Sequence, residues 1–147
     1  MSPRRGWWGL APLALCLIVE GAWATDFGRQ SYLLHCAGCH LPDGSGSAPN
    51  DVPSLHGAPG HLAGIPEGRA FLTQVPGIAY SPLNDAEVSE VLNWMLLNFS
   101  KDTLPPSFQA FTEQEVKTLR AQRPAEIFKV RRAAIDALRA KGITINY

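Results

Sequence analysis

From Leu41 to Pro82 the chain places seven prolines and seven glycines among 42 residues. One third Pro plus Gly forbids long helices and strands there: proline has no amide to donate, and glycine loses the most backbone freedom on ordering. A helix-like patch, Glu67 to Val75, interrupts the stretch. A segment of this kind cannot bury a core alone, and 147 residues make one ordinary domain. A large, flat, apolar body for the loop to wrap would supply the missing core.

The means of holding such a body stands just upstream, in Cys36-Ala37-Gly38-Cys39-His40. Cys-x-x-Cys-His is the attachment signature of c-type haem. On a helical turn, two intervening residues set both sulfurs along one edge of a porphyrin, in reach of its vinyl groups. The next residue then aims an imidazole at the iron, and His is a good axial ligand. Other uses of the pair fit less well. A zinc site needs about four ligands, and no second pair lies at zinc spacing. A thiol–disulfide oxidoreductase carries its motif after a strand, whereas residues 25 to 35 read as helix. A plain disulfide would not call for His40.

The amino terminus reads as an address. Arg4-Arg5 precedes an apolar run, Leu10 to Val19, and Ala22-Trp23-Ala24 has the small-x-small form of a cleavage site. Residues 1–24 are therefore expected to be a secretory signal peptide. The run is short for a bilayer span and Glu20 interrupts it, so no transmembrane segment is expected after cleavage. Removal of the leader takes away Cys16 and three of the four tryptophans, leaving Cys36, Cys39 and Trp94. The formal net charge is zero and 46% of the residues are apolar, which excludes a disordered chain. No P-loop, nucleotide fingerprint or nucleic-acid motif occurs.

The residues around the motif resemble a class I cytochrome c. Gly28 and Tyr32 lie on one face of the helix leading into Cys36, and Trp94 in Leu92-Asn93-Trp94-Met95 looks like their partner on the family's last helix. Leu41-Pro42-Asp43-Gly44-Ser45-Gly46 resembles the loop after the haem histidine. Pro53-Ser54-Leu55-His56-Gly57 resembles the segment whose proline carbonyl accepts a hydrogen bond from the ligating histidine. The resemblance covers about residues 26 to 100. It implies an all-α fold, a small cytochrome c domain around one covalent haem c. Cys36, Cys39, His40 and Pro53 would hold the cofactor, with His40 on the iron. It also implies a periplasmic carrier of single electrons, not an enzyme, taking them from a dehydrogenase and passing them to an oxidase or another cytochrome.

One departure bears on the chemistry. The family puts a methionine, its sixth iron ligand, just before the last helix, where this chain has Tyr80-Ser81-Pro82-Leu83. Met95, His61, His56 and Tyr80 are the candidates, or the position is open. An open position would favour an alternative function, a gas or ligand sensor or a small-molecule redox enzyme. A subunit of a larger dehydrogenase is a third reading.

Helices are expected from Asp26 to Cys39 and from Asn84, with Glu87 completing a capping box and Val88, Val91, Leu92, Met95 and Phe99 on one stripe. The haem domain is read as residues 25–101. Residues 102–147 form a helical extension after Pro105-Pro106, with a capping box at Thr112 and Glu115, a helix to Ala121, and a second from Pro124 to Lys141. Residues 25–102 hold three Lys or Arg against eight Asp or Glu, a net charge of −5; residues 103–147 hold eight against four, a net charge of +4. The extension is expected to fold back on the acidic domain, with a docking arm for a redox partner as the alternative.

Overall fold

A computed structural model describes residues 21–122 and 124–145. The expected leader lies outside them except for its last four positions, which open the first helix. The described residues form eight α-helices and two 3-10 turns, with no strand; one isolated antiparallel bridge joins Ser47 to Val52. The all-α expectation therefore holds.

Helix α1 spans Gly21–His35, and after a turn at Cys36 α2 takes Ala37–His40. Two elements thus replace the single helix expected to Cys39. Helix α6, Asp85–Phe99, starts as its sequence dictates: the Asn84 side chain accepts from the Glu87 amide, and the Glu87 carboxylate accepts from the Asn84 amide. Its apolar stripe is buried at Val88, Val91, Leu92, Met95 and Leu96. Helices α1 and α6 cross at Gly28. A Cβ there would lie 2.5 Å from the Cβ of Trp94, so only glycine permits this approach. Tyr32, Trp94 and Phe99 close around the crossing with ring centroids 5.1–5.4 Å apart.

The Pro/Gly-rich stretch contains more helix than expected. Three short helices occupy it: α3 (Ala58–Ala63), α4 (Pro66–Gln74) and α5 (Pro76–Ala79). Each carries a proline in its first two positions, where the missing amide has no intrahelical partner to lose. The prolines limit these helices in length and also start them.

The extension folds back as expected. Helix α7, Glu113–Ala121, lies against α4 and α6, and α8, Ile127–Ala140, lies against α4 and α3. Ala134 and Leu138 are fully buried there. Helix α8 begins three residues later than expected, leaving Pro124 ahead of it, and Gly142 follows it at a φ of 77°. Only half of the capping box at α7 forms. Thr112 accepts from the Glu115 amide, but the Glu115 carboxylate is drawn away to Arg69 of α4, with N–O distances of 2.5 and 2.6 Å. Arg69 also covers the face of Phe111 at 3.8 Å. The Asn93 side chain of α6 bonds both backbone groups of Phe111.

Candidate functional site

The motif occupies the junction of α1 and α2. Helical hydrogen bonding continues through it, from the Cys36 amide to the Tyr32 carbonyl and from the His40 amide to the Cys36 carbonyl, each 2.9 Å. Both cysteines are free thiols, Cys36 half-buried and Cys39 exposed. Burial, with Cys39 nearby, raises the Cys36 thiol to about 11. The leading thiol of a dithiol oxidoreductase is shifted the opposite way, towards the reactive thiolate.

His40 is half-buried. Its Nδ1 lies 3.0 Å from the carbonyl oxygen of Pro53, so Nδ1 carries the proton and donates, which directs the Nε2 lone pair away from the loop. Burial lowers the pKa of the ring and the Pro53 bond opposes that shift; the neutral ring, the metal-binding form, is favoured. The structure thus brings Cys36, Cys39, His40 and Pro53 together.

The loop presenting Pro53 is tied in many places. The Gly46 amide bonds the His40 carbonyl at 3.0 Å, and the Leu55 amide bonds the Gly44 carbonyl at 2.8 Å. From the end of α6, Ser100 Oγ donates to the Leu55 carbonyl at 2.6 Å and Thr103 Oγ1 to the Gly57 carbonyl at 2.6 Å. Gly46 has a φ of 73°, and a Cβ there would sit 2.6 Å from the carbonyl oxygens of Val52 and Pro53.

Three site features were not legible in the sequence. Leu41, just after His40, has a φ of 65° and ψ of 157°, a costly backbone state for a branched side chain. The Tyr32 hydroxyl holds it by donating to the Leu41 carbonyl at 2.6 Å, and burial, the largest of its causes, raises that phenol to about 12, so it stays a donor. Ser100 and Thr103 are the other two. A polar residue just past an apolar stripe gives no sign of the distant carbonyl it will meet.

The sequence is 30% identical over 129 residues to a cytochrome c-552 of Thermus thermophilus, covering 76% of this chain and 86% of that protein. The chain belongs to the c-type cytochromes. A second cytochrome c-552 of Thermus thermophilus is 30% identical over 106 residues, covering 60% of this chain and 80% of its own length. No family model matches. The longer match takes in 76% of this chain, more than the span of about residues 26 to 100 expected to carry the resemblance.

Of the four candidates for a second axial ligand, His56 is committed elsewhere. Its Nε2 lies 2.8 Å from the Asp43 carbonyl and its ring meets the edge of Phe99, within the loop that carries Pro53. Met95 is buried on α6, His61 is half-buried in α3, and Tyr80 is exposed. Among the described residues no three His, Cys, Asp or Glu side chains converge as a cation site. No helix of the described residues is long and apolar enough to cross a membrane.

Proposed function

We propose that this protein is a periplasmic monohaem c-type cytochrome that carries single electrons from a dehydrogenase to an oxidase or another cytochrome. In this reading residues 1–24 are the export leader, residues 25–101 the haem domain and residues 102–147 a helical extension. When bound, haem c would supply one-electron chemistry between Fe(II) and Fe(III).

The observation that carries the reading is the 3.0 Å approach of His40 Nδ1 to the Pro53 carbonyl, beside two free thiols with two residues between them. The residues fit the cofactor. Cys36 and Cys39 would bind it through thioethers. His40 would offer Nε2 to the iron, and Pro53 would fix the tautomer and angle of the imidazole. Tyr32 holds the backbone turn after His40 and so keeps the ring in register with the sulfurs. Electron transfer requires no acid–base step, so this machinery binds and orients without moving a proton.

The test is expression with a haem-attachment system, followed by visible spectra of the reduced protein with and without carbon monoxide. Covalent haem and an unchanged spectrum are expected of an electron carrier whose sixth position is filled by the protein. A prompt carbonyl spectrum would put a ligand sensor or redox enzyme ahead. Absence of covalent haem would return Cys36 and Cys39 to thiol chemistry.

A further inference from the structure

Helix α8 carries two stripes. Ile127, Val130, Ala134, Ala137 and Leu138 pack against the core, while Phe128 and Ile135 do not join it. Phe128 is 73% exposed. Ile135 follows it at i+7, and Arg131, Arg132 and Arg139 stand at i+3, i+4 and i+11, which is one face of a helix. With Asp136 at its edge, these side chains line an open groove on the outside of α8. Lys129 and Lys141 fall off the stripe, so its cations are all arginines. Asp136 accepts from Arg139 at 2.9 Å, and among the described residues no carboxylate pairs with Arg132.

One exposed apolar side chain alone would carry no meaning. An aromatic and an isoleucine interleaved with three guanidinium groups have the composition of a protein contact, where aromatic and arginine side chains supply most of the binding. Arginine grips a carboxylate through two parallel bonds, which lysine cannot do. The rest of the chain selects the sign of the partner. Residues 25–102 carry a net charge of −5 and residues 103–147 one of +4, so a carboxylate-rich protein is repelled by the first and drawn to the second. A lipid surface suits the stripe less: two apolar side chains make a thin anchor, and Asp136 would face anionic headgroups. The chain as a whole has no net charge, so copies of it gain no long-range attraction for one another.

We propose that the outer face of α8 docks another protein through a carboxylate-rich patch with an apolar centre. Helix α8 packs on α4 and α3, whereas α1, which leads into the motif, packs on α6 and α2; the stripe and the motif thus lie on different elements. The surface goes beyond the carrier reading and does not depend on it.

The probe is a helical peptide made of Glu, Leu, Phe and Ala, with a copy carrying Gln for every Glu. Binding to the full chain, expressed with a haem-attachment system, is followed by titration calorimetry. The Glu peptide should bind and the Gln copy should not. Arg132→Glu with Arg139→Glu should weaken binding at least about tenfold, and Phe128→Ala about fivefold. Arg132→Lys keeps the charge but loses the fork, so its loss should be smaller than that of the double variant. Lys117→Glu with Lys129→Glu makes the same change of charge at exposed positions off the stripe and should stay within about twofold. Should the arginine double variant fail to fold, Phe128→Ala decides, since that ring lies outside the core.

Equal losses in the two double variants would reduce the surface to bulk charge and overturn the proposal. No binding of the Glu peptide, or equal binding of its Gln copy, would overturn it as well. Phosphatidylglycerol vesicles that sediment with the wild type but not with the arginine double variant, while the peptide stays free, would reassign the stripe to a lipid surface. A mass that doubles with concentration, and does so only with the arginines in place, would reassign it to a second copy. Either result overturns the proposal.

Discussion

Residues 41–57 and residues 75–85 both join longer helices and both contain turns, but they are held in different ways. The first ties itself. Its amides and carbonyls bond one another and His40, and outside help comes from Tyr32 of α1 and from Phe99, Ser100 and Thr103 at the end of α6. The second bonds within itself too, and Arg120, 35 to 42 residues later in the chain, adds three bonds to it from α7. One loop is therefore bonded by itself and the helices beside it, and the other is bonded by a side chain of the extension as well. The loop that meets His40 is thus bonded without the extension, and residues 75–85 are bonded partly through it.

The first way to break this comparison is Gly46→Val. It forces a branched residue into a left-handed backbone state with its Cβ against two carbonyl oxygens, and should cost about 3 kcal/mol or more, read as a lower denaturant midpoint. A midpoint within error of wild type would show that the loop has slack its geometry denies. Ser100→Ala comes next. It strips the buried Leu55 carbonyl of a 2.6 Å partner and should cost about 1–3 kcal/mol by the same measurement.

Glu115→Gln acts on the other region. Arg69 keeps its contact with Phe111 but loses a charged partner that is 30% exposed, so the loss should be about 1–2 kcal/mol. Hydrogen exchange should rise in α7 and residues 75–85 but not in residues 41–57; equal rises in both would end the distinction between them. The smallest effect sharpens the scale. Lys129→Ala removes an ion pair whose members are 77% and 60% exposed and should shift stability by about 0.5 kcal/mol or less. A larger loss would mean that α8 contributes through its solvent face.

What could be read in advance follows the same division. The α6 cap was legible because Asn84 and Glu87 are three residues apart and satisfy each other. Cys36, Cys39 and His40 were legible because their chemistry demands that spacing, and Pro53 through likeness to a known family. Helices α3 and α5 were missed because prolines were counted as breakers, although position decides whether a proline ends a helix or begins one. The Glu115 carboxylate was assigned to the cap of its own helix, a local bond that lost to Arg69, 46 residues distant. Arg120 gave no local sign at all, since two of its acceptors are backbone carbonyls that any sequence would offer and the third, Asp85, lies 35 residues away.

The crossing of α1 and α6 has a consequence for watching this molecule. Trp94 is the only tryptophan beyond residue 24, and its ring is wedged beside Tyr32 where the two helices touch. With haem on Cys36, one helical turn past Tyr32, energy absorbed by the indole would pass to the porphyrin and its emission would be dark. Separation of the two helices would turn the light on. The contact that closes the fold thus doubles as a built-in optical gauge, legible in a single untouched chain without any attached dye.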